Sequence, residues 1–229
     1  MKYKLGKTVV LGLGGSIVYP DELDVSFLKE FQKFILREIG MGRKFVIVVG
    51  GGRMARIYQE AAGRIVKVTD EDKDWIGIHA TRTNAQLLRT IFRGEADPIV
   101  FDARRKRTGL KYPITIASGW RPGWSTDYVA VQIAVDYKIP EVVVWGKPNY
   151  VFDKDPSKFG DAKPFSEISW KEYRKLIPAK WSSGAHAPVD PVAAKLAHKS
   201  GLKCIVIGRD LKNCKNLLRG EKFEGTVIG

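Results

Sequence analysis

With 229 residues, 44% of them apolar and 28% charged, the chain has the make-up of a globular protein large enough to bury a full core. Its apolar runs fall far short of the ~20 residues of a membrane span, and residues 1–8 lack the apolar core of a signal peptide, so a cytoplasmic protein without membrane contact is expected. The net charge of +14 favours anionic partners, but the one dense basic run, 104–107, lacks interleaved aromatics or a nucleic-acid module, which speaks against nucleic acid and leaves nucleotides.

Taken in order, residues 8–13 form a first strand followed directly by Gly14, Gly15 and Ser16. A helix is predicted over 25–39, with Asp24 as N-cap and Phe27, Leu28, Phe31, Phe34 and Ile35 on one face. Residues 45–49, apolar and mostly β-branched, read as a strand buried on both faces, and 53–62 as a helix. After a polar stretch, 69–74, a long helix is expected over 75–92. Two strands follow at 98–101 and 112–117, with an exposed basic segment between them. The glycine-proline loop SGWRPGWSTD (118–127) leads into an apolar helix over 128–137, then a buried strand at 142–145. Residues 147–166 lack a helical period and suggest a hairpin with an irregular loop. Helices at 170–177, 192–199 and 211–218, with strands at 204–207 and 225–228, complete the pattern. Strands alternating with helices predict an α/β sandwich, helices on both sides of a mainly parallel sheet, and in such sheets ligands sit at the carboxyl ends of strands.

The stretch FVIVVGGGRMAR (45–56) is the most legible. A strand that ends in three glycines at the mouth of a helix offers clustered N–H groups and the positive end of a helix dipole, which is a place for phosphate. All three glycine-bearing turns, at Gly14, Gly50 and Gly119, follow predicted strands and so fall on one sheet edge. There is no G-x-x-x-x-G-K-[ST] and no G-x-S-x-G. The three histidines, His79, His186 and His198, lack ligand spacing, so no protein-held metal is expected. Gly50, Gly52 and Ala55 do satisfy G-x-G-x-x-[GA], a dinucleotide fingerprint, but the acidic residue it needs should close a second strand, and Asp70, Glu71 and Asp72 fall in a polar stretch. Cys204 and Cys214 fit no metal or redox spacing; Cys204 lies in an apolar run and is expected in the core, and no disulfide is expected.

Six blocks, LGGSIV (13–18), VVGGGRMARIY (48–58), DWIGIHATRTNAQLL (74–88), RPGWSTDYVA (121–130), VFDKDP (151–156) and PVDPVAAKLA (188–197), resemble in order and spacing the amino-acid kinase superfamily. Within it the chain is most similar to the UMP kinases of the archaeal-type branch, along nearly its whole length. The resemblance implies a three-layer αβα sandwich with a mainly parallel central sheet, one continuous domain with an acceptor-nucleotide lobe at 1–138 and an ATP lobe at 139–229. It implies transfer of the γ-phosphoryl group of ATP to UMP, with Mg²⁺ bridging phosphates, in a cytoplasmic homo-oligomer, a hexamer in the family. Gly14, Gly15 and Ser16 would lie against the ATP phosphates. Gly51 would face the UMP phosphate, with Gly52 and Arg56 on the ATP side, and Asp74 would accept from the UMP ribose hydroxyls. The loop of Trp120, Arg121, Pro122, Gly123, Trp124, Ser125 and Thr126 would wrap the acceptor. Gly146 and Lys147 fall on the ATP side, where Phe152 and Asp155 would help hold the adenosine end. Ser16, Arg56 and Asp127 are the catalytic candidates.

Several positions keep two readings. Asp127 either caps the helix that follows or orients Mg²⁺ or lysines. Trp120 and Trp124 stand where the family more often has small or polar residues, and either stack on the base or pack. Gly12 stands where many superfamily members carry a lysine, which leaves Lys147, Lys154 and Lys195 as candidate cations. The segment WGKPNYVFDKDP (145–156) departs from the family's Thr-Asn-x-Asp-Gly pattern. Asp190 reads as an N-cap or as a residue near the site, and Arg82 as a surface charge or a phosphate ligand.

Overall fold

The computed structural model describes residues 1–104, 109–179 and 187–229; positions 105–107 of the basic run and His186 lie outside them. The chain runs β1 (Thr8–Leu13), α1 (Gly15–Val18), α2 (Val25–Gly40), β2 (Lys44–Val49), α3 (Gly52–Ile65), α4 (Asp70–Ile91), β3 (Ile114–Ala117), α5 (Thr126–Asp136) and β4 (Glu141–Trp145). It continues through β5 (Val151–Phe152), β6 (Pro164–Phe165), β7 (Glu167–Ile168), α6 (Trp170–Leu176), α7 (Pro191–Lys199), β8 (Lys203–Ile207), α8 (Leu211–Leu218) and β9 (Thr226–Ile228).

Seven strands form one sheet in the order β3-β2-β1-β4-β8-β9-β7. Its first five strands are all parallel, and β9 returns antiparallel to β8. Successive strand residues face opposite sides, so Val9, Leu11 and Leu13 of β1 enter one core and Val10 the other; Phe45, Ile47 and Val49 of β2 divide likewise from Val46 and Val48. Both faces are apolar and both need helices. α2, α4 and α8 cover the first through Phe31, Ile35, Leu88 and Leu217, and α5, α6 and α7 the second through Val129, Ile133, Tyr173 and Ala194. The expected three layers are there. α3 is the exception: it packs on α4 and has no buried residue. Cys204 is buried in the core as expected; Cys214 is buried as well, and both are free. Among the described residues no helix is long and apolar enough to cross a membrane.

The structure departs from the sequence reading at element ends. The polar stretch 69–74 is the N-cap and first turn of α4, because Thr69 and Asp72 form a reciprocal capping box. Asp70, Glu71 and Asp72 therefore sit at a helix start instead of closing a strand, which removes the dinucleotide-fingerprint reading. Residues 98–101 form no strand; isolated bridges alone run beside β3 there, from Ala96 to Ile114 and from Phe101 to Ala117. Gly15–Val18 forms one turn of helix that sequence pattern was too short to reveal, and β7 is an added edge strand. The 147–166 segment is a hairpin, β5 pairing antiparallel with β6.

Candidate active site

At the carboxyl edge of the parallel strands a cleft of ≈ 1510 Å³ opens between the two halves of the sheet. That exceeds the ~300–1,000 Å³ usual for one small ligand. Its floor is made by the turns after β1 and β2. Leu13 and Val49 are register partners, so the two turns leave neighbouring strands side by side. They touch: a Cβ built on Gly15 would lie 2.1 Å from Gly52 N and 2.5 Å from Gly50 C. Gly52 has φ +66°, and a side chain there would meet Gly15 O at 2.4 Å. Only glycine allows this approach. Gly15, Ser16, Gly51, Gly52 and Arg56 all line the cleft. Arg56, one helical turn past the glycines, is half-buried and forms no ion pair among the described residues.

The third turn is held by α4. The buried Thr81 hydroxyl donates to Ile78 O at 2.7 Å and accepts from Gly119 N–H at 2.8 Å. Asp74, from the same helix, lines the cleft and takes a hydrogen bond from Gly123 N–H at 2.8 Å, pinning the loop that follows β3. In that loop the two tryptophans part company. Trp120 is a core residue, its indole N–H donating to Phe101 O at 3.1 Å, so packing is its role and a place on the base is ruled out. Trp124 lines the cleft, with its ring against Tyr128 at 4.7 Å and the Arg121 guanidinium over it at 4.4 Å. Arg121 and Gly123, both exposed, and the half-buried Pro122 carry the loop around, Gly123 at φ +78°, while Ser125 and Thr126 reach the cleft.

Ser125, not Asp127, caps α5: its hydroxyl accepts from Tyr128 N–H at 3.0 Å and donates to Asp190 Oδ2. Asp190 in turn caps α7, accepting from Val192 N–H at 2.7 Å and Ala193 N–H at 3.1 Å. The expected Asp190 cap holds, and the Asp127 cap does not, because the helix begins at Thr126. Asp127 is left in the first turn of α5 beside Asp190. Burial, and then the Asp190 carboxylate, push its carboxyl well above the usual range, partly offset by the Asp190 N–H. Neither carboxylate has an ion-pair partner among the described residues. Tyr173, buried against them, donates to Val189 O at 2.6 Å and accepts from Val189 N–H at 2.7 Å. Tyr173→Phe leaves both backbone groups unpaired, and a loss of about 1–3 kcal/mol in urea unfolding is expected.

Opposite the glycines, the wall is the segment after β4. Gly146 N–H is tied to Ile207 O at 3.0 Å, while Lys147, Lys154, Phe152 and Asp155 line the cleft. Asp155 accepts from the Ser157 hydroxyl and N–H at 2.7 and 2.9 Å.

A family model described as the amino acid kinase family matches residues 7–208. The chain belongs to that family. It is 34% identical over 224 residues to a uridylate kinase of Thermococcus sibiricus, covering 96% of this chain and 98% of that one. A uridylate kinase of Methanocorpusculum labreanum is 34% identical over 226 residues, at 96% and 95% coverage. Among solved structures, uridylate kinase from Archaeoglobus fulgidus superposes with a TM-score of 0.82 at 28% identity over 100% of both chains. UMP kinase from Bacillus anthracis shares the fold at TM-score 0.78 and 20% identity, covering 97% of this chain and 96% of that one.

In this member of the family the cleft therefore gathers Gly15, Ser16, Gly51, Gly52, Arg56, Asp74, Trp124, Ser125, Thr126, Lys147, Phe152 and Asp155, with Trp120 withdrawn into the core and Gly14, Gly146 and Asp127 outside the lining. Of the candidate cations, Lys147 and Lys154 reach it, Lys154 already paired with Asp161 at 2.6 Å, whereas Lys195 is exposed on α7 away from the lining. Arg82 is half-buried on α4 and does not line the cleft. Sequence reasoning missed Thr81 and Gln59, whose amide ties α3 to α4 through Lys73 O at 2.7 Å. The signal of Thr81, a polar residue on the buried face of a helix, is legible only once the facing turn is known.

Proposed function

We propose that the chain is a cytoplasmic nucleoside monophosphate kinase that moves the γ-phosphoryl group of ATP onto UMP, giving UDP and ADP. The observation that carries this is the contact of two glycine turns in one cleft roomy enough for two nucleotides laid end to end. The near full-length likeness to uridylate kinases supports the acceptor. Residues 1–138 supply the acceptor side and 139–229 the ATP side.

Phosphoryl transfer asks for alignment and for positive charge where the transferred oxygens carry theirs. Gly15 and Ser16 supply donors to the ATP phosphates, Gly51 to the UMP phosphate, and Arg56 a charged fork between them, whereas Gly14 spends its N–H on Trp145 O at 2.8 Å and lies behind the lining. Asp74 exchanges its bond to Gly123 for the ribose hydroxyls, so the acceptor loop and the acceptor share one carboxylate. Trp124 and the 122–126 backbone close over the UMP, while Gly146, Lys147, Phe152 and Asp155 hold the ATP side. Among the described residues no cluster of three or more metal-ligating side chains occurs. Asp127 and Asp190 adjoin each other but lie outside the cleft lining, so Mg²⁺ would be held mainly by the nucleotide phosphates and would supply neutralising charge there. A coupled ADP-release assay with UMP, CMP, N-acetylglutamate and isopentenyl phosphate tests the reading. UMP is expected to lead by at least tenfold in kcat/KM; turnover confined to another acceptor, or nucleotide binding without turnover, contradicts it.

The enzyme works as a homo-oligomer, with the hexamer as the expected form. On α3, Ile57, Tyr58 and Ile65, with Val66 just beyond, are exposed at 42%, 61%, 82% and 61%, a large apolar face for a helix that buries nothing on its own chain. The double variant Ile57→Asp, Ile65→Asp is expected to lower the mass read by light scattering; a wild-type monomer contradicts the proposal.

A further inference from the structure

Asn84 sits on α4 one turn beyond Thr81, only 2% exposed, and does not itself reach the cleft. Its Nδ2 donates to Gly50 O at 2.8 Å and to Gly51 O at 3.3 Å. The partners fix which way the amide lies, since the reverse orientation would set Oδ1 against two carbonyl oxygens. In a trans peptide the C=O and N–H of one unit point in opposite directions. The Gly50 carbonyl shares its plane with Gly51 N–H, and the Gly51 carbonyl with Gly52 N–H. Drawing both carbonyls back onto Asn84 sends both N–H groups forward. Neither N–H has a partner among the described residues, and both glycines line the cleft.

We propose that Asn84 is a positioning residue for phosphate: it presets the Gly51 and Gly52 amides as a paired donor seat for the acceptor phosphate and the transferring group. This rests on the phosphoryl-transfer reading of the cleft. Glycine peptides turn over at little steric cost, so a three-glycine loop needs an outside anchor to keep its donors aimed before the ligand arrives. Donors already aimed require no reorganisation when charge develops. Asn84 supplies that anchor from behind, without touching either nucleotide. The consequence is selective: Asn84 governs how well the site feels the phosphate and leaves the nucleoside contacts alone.

The test is titration of UMP and of uridine by calorimetry, with kcat measured on the same samples. Wild type is expected to bind UMP more tightly than uridine. Asn84→Asp keeps the size but loses the donors. It is expected to shrink the UMP-to-uridine affinity ratio at least fivefold and kcat at least fivefold, with uridine affinity within twofold; Asn84→Ala should do the same. Variants that keep the full ratio overturn the proposal alone, and a wild type that binds uridine as well as UMP overturns the acceptor reading with it. A measurement on the wild type stands apart from variant folding: in ¹⁵N-glycine-labelled protein, the Gly51 and Gly52 amide resonances shift with UMP and stay put with uridine. Equal shifts with both ligands, or none with UMP, overturn the proposal.

Discussion

Gly15→Ala is expected to lower kcat/KM for UMP by about three orders of magnitude, ~4 kcal/mol of transition-state stabilisation. The added methyl would lie 2.1 Å from Gly52 N, 2.5 Å from Gly50 C and 2.7 Å from Gly50 O, all backbone atoms with no side-chain rotation to relieve them. The two turns have to separate, and the donors on one no longer face those on the other. Misplacement by about an ångström is enough to cost orders of magnitude in an aligned transfer. Gly12→Ala, three residues earlier and inside β1, is the control. Its Cβ meets Val143 O at 3.7 Å and Ala130 Cβ at 3.9 Å, ordinary contact distances, and less than a threefold change in kcat/KM is expected. Steady-state kinetics on both variants, with circular dichroism to confirm the fold, decide the matter. Equal effects at the two positions would mean that contact between the turns is not what the chemistry uses.

Arg56→Ala is expected to cut kcat tenfold to a hundredfold, about 1.4–2.7 kcal/mol. The guanidinium stands in the cleft one turn beyond Gly52, half-buried and without an ion pair among the described residues, so its charge is available to an incoming ligand. With Gly12 in place of a lysine on β1, Arg56 is a cleft-lining cation on the helix that starts at the glycines. Lys147 lies across the cleft on the ATP wall, and Lys154 is engaged by Asp161. Arg56→Lys keeps the charge but loses the planar fork. It should recover part of the rate, with the larger deficit in kcat than in KM. Unchanged kinetics in Arg56→Ala would remove this residue from the site.

Much of this geometry is legible in the sequence for a definite reason. Strands buried on both faces read as unbroken apolar runs, and 45–49 and 142–145 announce themselves that way. Glycines directly after such runs mark the carboxyl edge of the sheet, so the floor of the cleft follows from the pattern alone. Where polar residues do structural work the pattern misleads. Thr69 and Asp72 look like linker until they are seen bonding each other, and the long helix then begins five residues early. Asp127 has the position of a cap, yet Ser125 takes that role and leaves Asp127 facing a second carboxylate. Trp120 and Trp124 are four apart in one loop and chemically identical, and only the fold sends the first inward and the second to the cleft. Asn84 carries no local signal at all, because its partners lie more than thirty positions upstream.

The most direct measurement is a crystal structure of the enzyme with UMP and a non-hydrolysable ATP analogue bound together. The UMP phosphate is expected on the Gly51 amide, the analogue's phosphates against Gly15 and Ser16, and the γ-phosphorus in line with a UMP phosphate oxygen. One dinucleotide-like ligand spanning both turns, or two nucleotides whose phosphates point away from each other, would contradict this placement.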